Sequence, residues 1–144
     1  DTVTKYRWSV NYNYKNGRKK PAYIRSLWSK KRNQTSRIPL ARLILLPPSK
    51  MVVDHVDRNI FNNSRSNLRV CSPKENCRNI GVSIANRSGY KGVCKKKGRK
   101  GFLVQIKVNG KIHCKQVNTL LEGAKMYNKM AKFYHGEYAG LNVL

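Results

Sequence analysis

Acidic residues are scarce in this chain: 6 Asp and Glu stand against 31 Lys and Arg, a formal net charge of +25 over 144 residues. The excess runs along the whole length instead of gathering in one tail, so a polyanionic partner is the default expectation. Long apolar runs are missing too. No stretch approaches the roughly 18 residues of a spanning helix, and no leader peptide is visible, which places nucleic acid well ahead of a membrane as the partner. The four cysteines, Cys71, Cys77, Cys94 and Cys114, form no C-x-x-C pair. Neither a structural zinc site nor a redox motif is therefore expected, and free thiols in a reducing, cytoplasmic setting are. Hydrophobic residues make up 40% of the chain. That is low for one large core and points to small modules.

What is present falls into four parts. From Tyr6 to Ile24 aromatic and polar residues alternate, with Trp8, Val10, Tyr12 and Tyr14 on one face and Asn16-Gly17 between the halves, the mark of a β-hairpin. A polar turn is expected over Ser29 to Arg37; Ile38 to Leu46 is an apolar run, stopped by Pro47-Pro48, that fits either a short helix or a strand. Met51 to Val53 reads as a strand leading into Asp54-His55, and Leu68 to Val70 as a second. Ser72, Pro73 and Glu75 then sign a helix start, which makes a ββα unit. After a linker, Tyr90 to Lys95, Gly101 to Val108 and Lys111 to Val117 read as strands. Thr119 and Glu122 cap a helix that carries Ala124, Tyr127, Met130, Ala131 and Tyr134 at helical spacing, until His135-Gly136 ends it. The expected class is α+β: a β-rich basic region over 1–50, the ββα unit over 51–82, a linker over 83–88, and a three-stranded antiparallel sheet packed on one helix over 89–144.

The faces of the last sheet follow from its apolar residues. Phe102, Val104 and Ile106 are expected to share the buried face with Ile112 and Cys114. A two-residue turn at Asn109-Gly110 gives the wrong register for that, so a three-residue turn with a bulge is expected. Leu103, Gln105, Lys107, Lys111, His113 and Lys115 then form one exposed, mostly basic face suited to a major groove.

The few acids are informative by position. Glu75 and Glu122 belong to helix starts, Asp1 and Glu137 lie near the ends, and Asp54 and Asp57 flank His55. An acid beside a histidine in a phosphate-binding chain points to a cation held against a phosphodiester.

The residues Asp54-His55, Asn62-Asn63, Ser66-Asn67-Leu68-Arg69 and Lys74-Glu75-Asn76 closely resemble the HNH nucleases, above all the homing endonucleases of phage and intron origin. The resemblance implies His55 as general base, Asn67 as the residue that braces the loop and orients the His55 ring, and Asp54 and Asn76 as metal ligands. A carboxylate and an amide oxygen suit one Mg²⁺ or Mn²⁺ ion and leave positions open for water and phosphate oxygens, whereas zinc is not expected. Arg65 or Arg69 is a candidate phosphate clamp. Arg58 stands where many relatives carry glycine, and Ser64 where arginine is common.

Ser88-Gly89-Tyr90-Lys91-Gly92-Val93, Val108-Asn109-Gly110-Lys111, Glu122 to Tyr127 and His135 to Asn142 resemble the Apetala/ethylene-response-factor DNA-binding domain, although His113 replaces a DNA-contacting tryptophan of the plant members. This likeness implies a sheet laid in the major groove, with Lys91, Lys95, Gln105, Lys107, Lys111, His113 and Lys115 as DNA contacts. Together the two resemblances imply a site-specific endonuclease acting on double-stranded DNA as a monomer. A non-catalytic duplex-binding protein is the alternative, and a small RNA-binding protein would suit the charge but not the paired motifs.

Overall fold

The computed structural model describes residues 8–15, 18–29, 34–98 and 100–144, with side chains from residue 38 onward. The chain forms two compact units, residues 1–73 and 74–144. In the first, β1 (Trp8–Lys15), β2 (Arg18–Ser29) and β3 (Gln34–Pro39) form an antiparallel sheet in that order. Lys15 pairs with Arg18, so the hairpin predicted from the alternation is there; the Asn16-Gly17 turn itself lies outside the described residues. The polar segment expected as a turn over Ser29 to Arg37 instead supplies most of β3, with Ser29 opposite Gln34 and Ile24 opposite Pro39. Pairing with β2 satisfies the backbone of a segment that has no apolar pattern of its own.

The apolar run after it divides between strand and helix. Pro39 is extended and caps α1 (Leu40–Leu45). The helix stops at Leu46, which takes a left-handed conformation (φ 46°) and returns its N–H to Arg42 O at 2.9 Å; Pro47 then forbids another turn. Arg42 Nη1 donates to Met51 O at 2.8 Å, fixing the chain where β4 (Val52–His55) begins. β4 pairs antiparallel with β5 (Leu68–Cys71), placing Asp54 opposite Arg69 and His55 opposite Leu68, with Cys71 and Leu68 buried.

The boundary between the units falls within α2 (Pro73–Asn76), which begins at the predicted proline and runs on as a 3₁₀ turn over Cys77–Asn79. In the second unit β6 (Val93–Cys94), β7 (Phe102–Val108) and β8 (Lys111–Val117) form an antiparallel sheet with β7 in the middle. α3 (Leu120–His135) covers one face, and Val104 and Ile106 meet Tyr127, Met130 and Ala131 in the core. Its start is the predicted capping box: Thr119 Oγ1 accepts from Glu122 N while the Glu122 carboxylate accepts from Thr119 N. The segment read as a linker is tied to the sheet by Asn86 Nδ2, which donates to Tyr90 O at 2.8 Å, and by Ser88 Oγ, which donates to Val93 O at 2.7 Å.

The register of β7 and β8 overturns the expected one. Val108 pairs with Lys111, Ile106 with His113 and Val104 with Lys115, around a two-residue turn in which both Asn109 (φ 47°) and Gly110 (φ 85°) are left-handed. That is the type I′ geometry Asn-Gly favours, and it requires no bulge. Ile112, 64% exposed, and Cys114 therefore lie on the outer face, while His113 turns inward, its ring 4.6 Å from that of Tyr134 and its Nδ1 3.2 Å from the Tyr134 hydroxyl. β8 is an edge strand, and the core is filled from β7 and α3, so nothing compels Ile112 inward.

At the end of α3 the Nδ1 of His135 is buried without a hydrogen-bond partner. Burial first, then the nearby Arg78 and Lys91 charges, push its pKa below the usual imidazole value. A group with a depressed folded pKa binds its proton more readily in the unfolded chain. This contribution to stability is complete above about pH 6.5 and is lost as the pH falls toward the folded value. Replacing His135 by Phe should shrink the drop in melting temperature between pH 7.5 and pH 5.5; an equal drop in both proteins would refute the assignment.

Candidate active site

Twelve residues lie between His55 and Leu68, its partner across the two strands, and they form a loop with little apolar content and much internal hydrogen bonding. Asn67 is the centre of it. Its side chain is buried, accepts from Asp57 N at 3.0 Å through Oδ1, and donates through Nδ2 to Asp57 Oδ1 and Asn62 O, both at 2.8 Å. Its backbone carbonyl accepts from Val56 N at 2.9 Å. Asp57 answers by accepting from Asn59 N and Asn62 Nδ2, each at 2.8 Å. The Asn62 side chain and then the Asn59 backbone amide hold its carboxyl below the ordinary carboxylate range. Arg58, in the left-handed region at φ 65°, donates its N–H to His55 O at 2.9 Å and so tightens the turn just after the strand. That conformation is the reason glycine suits this position.

His55 is half-buried at the end of β4, with Nε2 3.2 Å from Asn63 Oδ1. Asp54, one residue earlier and so pointing to the other side of the strand, is buried at 6% exposure. Arg69, directly opposite on β5, donates to Asp54 Oδ2 from Nε at 3.0 Å and from Nη2 at 2.7 Å. Both groups are largely shielded from water, so neither partner can be removed without stranding the other's charge. Among the described residues no three of His, Cys, Asp and Glu gather into a possible metal cage, and the donors at this strand end are a carboxylate and carboxamides.

Residues 46–78 match the family model described as HNH endonuclease. This segment is an HNH endonuclease domain. It is 38% identical over 96 residues to an uncharacterised HNH endonuclease of Acanthamoeba polyphaga mimivirus, an alignment covering 66% of this chain and 49% of that one. It is also 33% identical over 92 residues to Protein 3.8 of Escherichia phage T7, covering 64% of this chain and 76% of that one. The chain thus spans about half the length of the mimivirus relative. No solved structure matches it.

Within this HNH segment the structure brings Asp54, His55, Asn67 and Arg69 together at one end of the β4-β5 pair, while Asn76 lies at the end of α2 in the second unit. Arg69, expected as a phosphate clamp, is instead engaged by Asp54. Arg65 remains exposed on the 3₁₀ turn that precedes β5. The Asn67 side chain bonds Asp57 and Asn62 within the loop, whereas the partner of His55 Nε2 is Asn63 Oδ1, to which the sequence assigned no role. The part Asp57 plays in the loop was missed as well; four asparagines within ten residues of it, Asn59, Asn62, Asn63 and Asn67, were the available signal, because Asx side chains organise tight loops by bonding nearby backbone amides.

In the second unit Lys91 Nζ donates to Arg78 O at 2.7 Å and Ile80 O at 2.6 Å, so this predicted DNA contact caps a turn. Lys111, His113 and Lys115 share the helix-side face of the sheet instead of the outer one, following the two-residue turn. Gln105 and Lys107 do lie on the exposed outer face, joined there by Ile112, Cys114 and Gln116. Lys95 is exposed and lines a groove of about 890 Å³ with Arg87, Lys96, Lys97 and Lys100. Those four basic neighbours were legible only as part of the overall charge.

Replacing Asn67 by Ala leaves Asp57 N and Asn62 O without their partner, at a cost of about 1–3 kcal/mol. The Asp57 amide, whose N–H ends on Asn67 Oδ1, should then exchange with solvent much faster while amides of β7 are unaffected. Unchanged exchange at Asp57 would show that the loop does not hang on this side chain.

Proposed function

We propose that the chain is a site-specific DNA endonuclease of the homing HNH type, in which His55 takes a proton from water attacking a phosphodiester held at a single divalent metal ion. The observation that carries the reading is the juxtaposition of Asp54 and His55 at the end of β4, one held by Arg69 and the other by Asn63, inside the segment that matches the HNH family. Asp54 and Asn76 are the proposed metal ligands, in a ββα-metal arrangement. Both offer oxygen donors, and a buried carboxylate at a strand end suits a hard ion such as Mg²⁺ or Mn²⁺. When bound, such an ion stabilises negative charge on the leaving oxygen.

The chain's own residues supply the rest. β4 sets the carboxylate and the imidazole on adjacent residues, so their backbones cannot drift apart. Arg69 fixes which way the Asp54 carboxylate faces. Asn67 and Asp57 hold the loop against which the imidazole rests, and the imidazole accepts the proton of water. Duplex DNA is the partner that +25 charge and the exposed basic groove along Lys95 favour. The outer face carrying Gln105 and Lys107 is proposed to lie in the major groove, as the Apetala/ethylene-response-factor likeness implies.

Substituting His55 by Ala should lower the cleavage rate of supercoiled plasmid by roughly 10²–10⁴-fold while duplex affinity stays within about twofold. A chelator should stop the unsubstituted protein, and added Mg²⁺ restore it. Cleavage that persists in chelator would exclude the metal; binding with no cleavage under any condition would favour a non-catalytic duplex-binding protein.

One Asp54-His55 pair occurs in the sequence and no second copy of the motif, so a monomer is expected to cut one strand. At limiting protein, nicked circles should form before linear DNA. Linear product without a nicked precursor, followed by end labelling, would instead indicate two chains acting across a two-fold axis.

A further inference from the structure

We infer that Asn63 is a positioning residue that fixes the ring orientation and tautomer of His55, placing the proton on Nε2. The inference rests on the reading of His55 as general base given above. It starts from the Asn63 carboxamide, whose Nδ2 lies 3.2 Å from Ile60 O and 3.3 Å from Phe61 O. Backbone carbonyls only accept hydrogen bonds, so the amino group of Asn63 must face them; the reversed amide would set three oxygens against one another. Asn63 N also donates to Phe61 O at 3.1 Å, pinning the backbone from which the side chain projects.

With the amino group so placed, Oδ1 is the atom that meets His55 Nε2 at 3.2 Å. An amide oxygen carries no proton, so the hydrogen between them belongs to Nε2. A neutral imidazole has one N–H, and its lone pair is therefore on Nδ1. The direction of the bonds from Ile60 and Phe61 through Asn63 to His55 follows from the carbonyl groups, which can only accept. Asn63 thereby does for His55 what an outer hydrogen-bond partner does for many functional histidines: it selects the tautomer and stops the ring from turning.

Three measurements test this on the full chain. In the unsubstituted protein at pH 8, a one-bond ¹H–¹⁵N spectrum of the histidine side chains should show a protected Nε2–H for His55, and Asn63→Leu should abolish it. A protected Nδ1–H in the unsubstituted protein would overturn the inference without any variant. With plasmid DNA and Mg²⁺, Asn63→Leu should slow single-turnover cleavage by roughly 10–100-fold with duplex affinity unchanged. In a His55→Ala background the same substitution should have no further effect on residual rate, because its action runs through the ring. If His55→Ala is inactive and Asn63→Leu cleaves at the unsubstituted rate, Asn63 has no positioning role. If His55→Ala itself cleaves normally, it is the assignment of the base that fails, and the Nε2–H signal still reports the hydrogen bond independently.

Discussion

The loop between β4 and β5 must hold a shape without a hydrophobic core of its own, and the buried Asn67 carboxamide is what makes this possible. It faces inward at 8% exposure, in a part of the protein where burial of a polar group is tolerated only if its donors and acceptors are all used. They are used locally: Asp57 gives and receives, Asn62 O accepts, and Asp57 in turn collects Asn59 and Asn62. Because each of these residues is both a partner and a spacer in the same short stretch, the loop closes on itself. The end of β4 is then a fixed platform for Asp54 and His55, and Asn63 is delivered to the imidazole by the same backbone.

Electrostatics imposes a second constraint of a different range. A chain of net charge +25 offers any anion a favourable field, which draws phosphate in but does not discriminate among positions on it. The Asp54–Arg69 pair is local: a buried negative group beside the Arg69 guanidinium, 2.7 Å apart, on neighbouring strands. Diffuse attraction and one fixed carboxylate are separate jobs, and the scarcity of acids keeps them from interfering.

The sequence made most of the elements readable wherever local chemistry acts alone. Thr119 and Glu122 cap α3, Asn16-Gly17 lies between paired strands, and Asp54 and His55 close the strand that the apolar run from Met51 to Val53 begins. Readability failed where the decision was made at longer range. β3 forms because β2 gives it an edge to pair with, which its own polar residues do not announce. The β7-β8 register follows the turn residues Asn109 and Gly110 and not the apolar residues of an edge strand. Arg69 as a phosphate clamp and Lys91 as a DNA contact are expectations that attraction to an anion suggests equally whether that anion is external or, as for Arg69, a carboxylate across the sheet; Lys91 caps backbone carbonyls that a sequence does not display at all.

The two-residue turn at Asn109-Gly110 also has an evolutionary side. Side chains alternate along a strand, so inserting one residue in that turn would rotate all of β8 by half a turn relative to β7. Lys111, His113 and Lys115 would then join Gln105 and Lys107 on the outer face, and Ile112 and Cys114 would exchange places with them. A single-codon insertion or deletion at the hairpin tip is therefore able to swap a mixed surface for a strongly cationic one in a single step. The length of the hairpin loop thus sets which side chains the outer face presents, with no substitution in the strands.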